Sequence, residues 1–261
     1  MAKVHGQPCW YELGTKEGSL GAAGKFYGEV LGWSTRDAGM EGFTYHLASS
    51  DGDMVAGMME LTPDMGGMPP FWMIYFGVDD ADKAAAAIKA AGGTVHKEPA
   101  DIPGTGRFAV AGDPQGAGFG ILQPLPMEGG GEGNAFDQKK AGHGNWNELM
   151  SSDPEAGFRF YSGLFGWQKS QAVDMGEMGT YQVFSHDGTD IGGMMRLGNS
   201  PVPAWLPYFG TNGVEAAMER IKAAGGKVAH GPQEVPGGVF IAVAQDPQGA
   251  WFAVVGPKEV S

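Results

Sequence analysis

The sequence has one cysteine in 261 residues, so it can form no internal disulfide, and Cys9 has no basic neighbour to mark it as an activated thiol. It is short of positive charge. Against 30 Asp and Glu stand 17 Lys and Arg, a net charge of −13, and no basic run is long enough to follow a phosphate backbone, which argues against a nucleic-acid partner. No apolar stretch approaches the roughly 18 residues that a membrane-spanning helix needs. Residues Met1 to Gly6 lack the apolar core of a signal peptide, and a cytoplasmic location is expected. Familiar chemical motifs are missing too. The run Gly129 to Gly133 is followed by neither Lys-Ser/Thr nor a helical pattern, so it is no phosphate loop, and His, Ser and Asp occur in no nucleophilic motif. The six histidines, His5, His46, His96, His143, His186 and His230, do not pair at metal-ligand spacing.

What the chain does have is glycine, 46 residues of it, with 17 prolines and a 42% hydrophobic content. This is a turn-rich chain with enough apolar side chains for a core. It also repeats itself. Phe26-Tyr27 with Gly32-Trp33 recurs as Phe160-Tyr161 with Gly166-Trp167. Gly57-Met58-Met59 recurs as Gly193-Met194-Met195, Tyr75-Phe76-Gly77 as Tyr208-Phe209-Gly210, and Asp113-Pro114-Gln115-Gly116 as Asp246-Pro247-Gln248-Gly249. A nearly constant offset over most of the chain is a duplication. It predicts two homologous domains, 5–124 and 143–257, joined over 125–142 by a glycine-rich, flexible linker. Within the first copy, strand patterns at Pro8 to Leu13, around Thr35, at Phe43 to Leu47 and at Met54 to Leu61 surround a helical pattern from Ser19 to Leu31. A second set follows, with strands at Trp72 to Val78, Thr94 to His96, Arg107 to Ala111 and Gly118 to Gln123 around a helix between Asp79 and Ala91. Each copy therefore reads as two βαβββ modules, an α+β class.

Phe26-Tyr27-Gly28-Glu29-Val30-Leu31-Gly32-Trp33, Ala91-Gly92-Gly93-Thr94-Val95 and Arg107-Phe108-Ala109-Val110 leading to Asp113-Pro114-Gln115-Gly116 carry a resemblance. With their second copies, they resemble the vicinal oxygen chelate superfamily of glyoxalases, bleomycin resistance proteins and extradiol dioxygenases. The resemblance implies that each domain curves a mixed sheet into a cup. It also implies, for metal-dependent members, ligands on the first, fourth, fifth and eighth strands. Carried over residue by residue, those positions hold Trp10 and Trp146, Glu60 and Arg196, Met73 and Leu206, and Gly120 and Ala253. One of the eight is a suitable ligand, Glu60. No cofactor and no metal site is expected, a divalent metal being the alternative.

If the ligand face is the inner face, strand alternation places Trp10 and Glu12, Met73 and Tyr75, Trp146 and Glu148, and Leu206 and Tyr208 on it. Met58, Glu60, Met194 and Arg196 complete the expected lining, the methionines as adaptable contacts. Glu12 and Glu148 are the candidate catalytic groups, because a carboxylate among aromatic rings must be paired or used. Arg107 reads as a surface residue, an anion site being the alternative. The expected function is metal-independent binding of a small aromatic or apolar molecule. The alternative is a glyoxalase-like lyase or isomerase, or a dioxygenase, with an atypical metal or carboxylate site. The duplicated domains are expected to pair within one chain as a monomer, the homodimer being the other arrangement.

Overall fold

The structure, a computed structural model, describes residues 5–65, 67–125, 134–198 and 200–260. The glycine run at 129–133 lies outside the described residues. The first copy folds as β1 (Pro8–Thr15), α1 (Leu20–Leu31), β2 (Ser34–Asp37), β3 (Tyr45–Ser50) and β4 (Asp53–Glu60), then β5 (Phe71–Gly77), α2 (Ala81–Ala90), β6 (Thr94–Ile102), β7 (Gly106–Gly112) and β8 (Gly118–Pro124). The second copy repeats the series as β9 (Gly144–Ser151), α3 (Pro154–Phe165), β10 (Gln168–Asp174), β11 (Thr180–His186) and β12 (Thr189–Arg196), then β13 (Ala204–Gly210), α4 (Val214–Ala223), β14 (Lys227–Val235), β15 (Val239–Gln245) and β16 (Trp251–Gly256). Two eight-stranded mixed sheets result, in the orders β2-β3-β4-β1-β5-β8-β7-β6 and β10-β11-β12-β9-β13-β16-β15-β14. These are tandem βαβββ-module domains of the α+β class. No helix among the described residues is long and apolar enough to cross a membrane.

Strand β6 extends to Ile102, six residues past the end its pattern predicts, and it carries Pro99. It can do so because it is the last strand of its sheet and its register shifts between Val95 and Lys97 and again between Lys97 and Ala100. An edge position and a bulge are where a strand tolerates a residue without an N–H.

The helices end where their glycines stand. Gly32 and Gly166 follow α1 and α3 in the left-handed conformation, with φ of 76° and 73°, and each donates its N–H to the carbonyl four residues back. A residue with a Cβ would be strained there. The two helices start differently. Asp153 caps α3 by accepting from Ala156 N, and Pro154 occupies its first turn, whereas Ser19 makes no side-chain cap for α1.

The compact units cut across the repeat. The described residues of one unit fall within Met1–Cys9, Ile74–Glu132 and Trp146–Leu206; the other comprises Trp10–Met73, Gly133–Asn145 and Pro207–Ser261. Each unit thus takes half of its strands from each sheet, and each is held by the same buried device. In one, Trp72 Nε1 donates to Tyr27 Oη at 2.8 Å, and Tyr27 Oη donates to Asp246 Oδ2 at 3.0 Å. In the other, Trp205 Nε1 donates to Tyr161 Oη at 2.9 Å, and Tyr161 Oη to Asp113 Oδ2 at 3.1 Å. Both tyrosines are fully buried. Their hydroxyls are pushed well above the ordinary tyrosine range, by burial first and by the neighbouring carboxylate next, so they stay protonated and donate. Trp33 stacks on Tyr27 and Trp167 on Tyr161, each with ring centres 5.5 Å apart. The Phe-Tyr motif of each copy is therefore bonded to the Asp-Pro motif of the other.

The described end of the expected flexible linker is fastened. Trp33 Nε1 donates to Gly142 O at 2.7 Å, and Asp53 at the start of β4 accepts from Lys140 at 2.6 Å, from His143 at 3.2 Å and from Asn134 at 3.3 Å. These donors hold the Asp53 carboxyl down at about 2.

Candidate ligand-binding site

The faces of β1 and β4 are set by what lies under them. Glu60 accepts from Leu20 N at 3.2 Å, so it points at the start of α1. The parallel register pairs Thr15 with Glu60, Leu13 with Met58, and Glu12 with Gly57. Paired residues of adjacent strands share a face, so Leu13, Thr15, Met58 and Glu60 lie on the helix side, and Trp10, Glu12 and Gly57 on the opposite side. In the second copy a Cβ on Gly157 of α3 would meet the side chains of Leu149 and Ser151, which puts those two on the helix side. Leu149 pairs with Met194 and Ser151 with Arg196, while Glu148 pairs with Gly193 and Met150 with Met195.

This corrects four expected lining residues. Met58, Glu60, Met194 and Arg196 face the helices, and Met58 and Met194 are fully buried there. The residues of the Met-Met pairs that share the face of Glu12 and Glu148 are Met59 and Met195. The expected alternation is one residue out of step on these strands, and a one-residue step exchanges the faces. The structure also gives Glu60 a purpose. It supplies from β4 the acceptor that Ser19 does not give α1, whereas α3 has its own Asp153 cap, and there Arg196 stands exposed.

On that opposite face the tryptophans and glutamates meet through Tyr45 and Tyr181, which the alternation of β1 and β9 does not reveal. Trp10 Nε1 donates to Tyr45 Oη at 3.0 Å, and Tyr45 Oη donates to Glu12 Oε2 at 2.9 Å. In the second copy Trp146 Nε1 donates to Tyr181 Oη at 2.8 Å, and Tyr181 is hydrogen-bonded to Glu148. Both tyrosine hydroxyls are pushed well above the ordinary range, by burial first and by the glutamate second, so each carries its proton and donates. The geometry depends on two glycines. A Cβ on Gly57 would collide with Tyr45, and one on Gly193 with Tyr181, each beside the glutamate that the tyrosine reaches. The signal was in the repeat: Thr44-Tyr45 recurs as Thr180-Tyr181 at the same offset as Gly57-Met58-Met59.

Met73 and Leu206 flank the two relays. Their strand neighbours Trp72 and Trp205 donate towards α1 and α3, so Met73 and Leu206 point the opposite way. Trp10, Glu12, Tyr45 and Met73 are half-buried, as are Trp146 and Tyr181, while Glu148 and Leu206 are buried. Tyr75 and Tyr208 are 3% and 5% exposed. Tyr75 pairs with Gly120, where a Cβ would collide with its ring, and it lies 6.5 Å from Phe108; Tyr208 pairs with Ala253.

The metal-ligand positions drawn from the resemblance do not assemble into a donor set. Both indoles are engaged with tyrosines, Glu60 is on the helix face, and the Tyr75 ring fills the space over Gly120. No group of three or more His, Cys, Asp or Glu among the described residues is placed to share a metal ion. Of the other candidates, Arg107 is bound at the surface by Asp82, through Nε at 2.8 Å and Nη2 at 3.0 Å, and by Asp101 at 2.8 Å. Burial pushes the Cys9 thiol up to about 12, so it stays protonated, and it donates to Tyr75 O at 3.4 Å.

Comparison with known proteins agrees with this architecture. The model of the Glyoxalase/Bleomycin resistance protein/Dioxygenase superfamily matches residues 17–121 and 144–254. CFP32 of Mycobacterium tuberculosis (strain CDC 1551 / Oshkosh), provisionally named a glyoxylase, is 33% identical over 256 residues, covering 97% of this chain and 95% of the relative. The anthracycline biosynthesis protein DnrV of Streptomyces peucetius is 33% identical over 272 residues, covering 97% and 94%. Among solved structures, the Mn(II)-bound glyoxalase from Novosphingobium aromaticivorans superposes with a TM-score of 0.67 at 17% identity, covering 98% of this chain and 84% of that one. The 2,3-dioxygenase LapB from Pseudomonas sp. KL28 superposes with a TM-score of 0.66 at 15% identity, covering 98% and 93%. At such identities these structures share the fold.

Proposed function

The chain belongs to the Glyoxalase/Bleomycin resistance protein/Dioxygenase superfamily, and from that premise we propose that it is a binding protein that takes up small, flat, largely apolar molecules without a metal. The observation that carries this reading is the duplicated relay, Trp10–Tyr45–Glu12 and Trp146–Tyr181–Glu148. It sets an indole, a phenol ring and a carboxylate in a fixed array, half-buried except at Glu148, with Met59 and Met73 on one such wall and Met195 and Leu206 on the other. An apolar wall with a few fixed polar groups is the usual make-up of a small-molecule site. Methionine adapts its shape to a ligand at little cost, and an indole locked by its N–H keeps its flat surface in place.

A catalytic metal needs about three protein ligands and an open position. The described residues at the expected positions do not fit that requirement. The other reading, a glyoxalase-like lyase or isomerase or a dioxygenase, has the names of the relatives in its favour, and in it Glu12 and Glu148 would serve as bases. Chelation separates the two. A metal that binds only the native state raises stability by mass action. Treatment with EDTA is expected to leave the thermal unfolding midpoint unchanged, and zinc, manganese, nickel or iron(II) is expected not to raise it. A fall of several degrees on chelation, restored by one of these ions, would overturn the proposal.

A further inference from the structure

The two walls are copies of one another, and they differ in their rings. In the first, the registers pair Tyr45 with Met59 and Met59 with Gly14, which brings no side chain to that row. Its neighbours take the space. A Cβ on Gly14 would stand 3.0 Å from the Phe71 ring and 2.9 Å from the Leu61 side chain, so both lie over this strand on the face of Glu12. At the other end of the row Phe43 stacks on Tyr45, with ring centres 6.1 Å apart and planes 28° from parallel. Phe43 is 38% exposed and Phe71 half-buried. The first wall thus runs from Phe43 and Tyr45 to Phe71, all within one compact unit.

The second wall, within the other unit, lacks both outer rings. At the offsets that carry Trp10 to Trp146, Tyr45 to Tyr181 and Trp72 to Trp205, Gly14 falls on Met150, Phe43 on Gly179 and Phe71 on Ala204. Met150 pairs with Met195, so a thioether stands where the first copy has bare backbone. Gly179 has a φ of 81°, which a phenylalanine would adopt only under strain, so the turn itself has no place for a ring.

The parts that the copies share, the relay and the glycine under its tyrosine, shape each wall. Phe43 and Phe71 are not needed for that, since the second copy builds the same relay without them. A phenylalanine left partly in water is apolar area still to be buried, and a flat molecule laid against it completes that burial in the offset-stacked geometry that rings prefer. Resting on the reading of the protein as a binder of small, flat molecules, we infer that the first wall is its aromatic site. Each chain takes one neutral fused-ring molecule, stacked on Phe43 and Phe71, and the second wall takes none of comparable affinity.

The test titrates acridine, at mildly alkaline pH where it is neutral, into the full-length protein, with calorimetry giving the number of sites and the affinity. One molecule per chain is expected. Phe43→Ala and Phe71→Ala are each expected to weaken binding at least about tenfold, about 1.4 kcal/mol. Phe43→Tyr, which keeps a ring, should bind as the parent does, and so should Met150→Ala in the second wall. The unfolding midpoint of Phe43→Ala should stay with that of the parent, which a structural role for the ring would not allow. Phe71→Leu serves as the readout if Phe71→Ala does not fold. Two equivalent molecules per chain, or a single site indifferent to both phenylalanines, would overturn the inference; if Trp10→Leu with Trp146→Leu then removes the binding, the binding function stands. A protein that is dimeric without acridine and is taken apart by Phe43→Ala would assign the ring to an interface between copies of this chain, and the inference fails likewise. If acridine does not bind at all, both fall.

Discussion

The molecule contains the same chain of donors twice over in two settings. Trp72–Tyr27–Asp246 and Trp205–Tyr161–Asp113 are buried, while Trp10–Tyr45–Glu12 and Trp146–Tyr181–Glu148 are for the most part half-buried. In both settings an indole N–H feeds a tyrosine that feeds a carboxylate. The aspartates are also bonded to the backbone of their own turns. Asp113 accepts from the backbone of Gln115 and Ala117 as well as from Tyr161, and Asp246 from Gln248, Gly249 and Ala250 as well as from Tyr27. Each aspartate closes a turn and ties it to a helix, a structural duty. The glutamates sit mid-strand on a face with methionines, where the relay serves to aim the side chains. Burial and these backbone partners mark the two aspartate relays as structural.

The largest effect should come from breaking a buried relay. Asp246→Ala leaves the backbone N–H groups of Gln248 and Ala250 and the Tyr27 hydroxyl without their acceptor, and should cost about 3 to 4 kcal/mol in urea unfolding. Tyr45→Phe in the half-buried relay should cost about 1 kcal/mol or less, because water can replace what is lost. Comparable losses for the two variants would erase the distinction between the two settings.

The comparison of the two copies sharpens at their helix starts. Glu60→Ala removes the acceptor that β4 lends to α1, and a loss of about 1 kcal/mol is expected. Arg196→Ala, at the corresponding place beside a helix that has its own cap, should stay within about 0.5 kcal/mol of the parent. Equal effects would mean that Glu60 does not act as a cap.

The smallest effect concerns Asp53, whose carboxyl is held at about 2 by Lys140, Asn134 and His143. A carboxyl lowered in the folded state adds stability that is present above its ordinary value and is lost as the pH falls through that value towards 2. Unfolding midpoints measured from neutral pH down to about pH 3 should therefore fall less steeply in Asp53→Asn than in the parent. Parallel slopes would show that this anchor does not contribute.

Much of the fold was legible because periodicity and repetition are local properties. The offset between copies, the alternation in β1 and β5, and the glycines closing α1 and α3 each depend on neighbours within a few residues, so the two-module plan and the tryptophans and glutamates of the two walls could be read directly. Other features could not, because they depend on which strand lies beside which. Met58, Glu60, Met194 and Arg196 look like site residues until the register with β1 and β9 turns them towards the helices. Tyr45 and Tyr181 become functional candidates only when β3 and β11 bring them over Gly57 and Gly193. Nothing local says that Tyr27 must find Asp246, or that a compact unit takes half its strands from each sheet. The elements, their order and their duplication follow from the spacing of apolar side chains and the backbone freedom of glycine, both written along the chain. Only the tertiary structure decided the partners, because hydrogen bonds such as Tyr27 to Asp246, 219 residues apart, exist only after the chain has closed on itself.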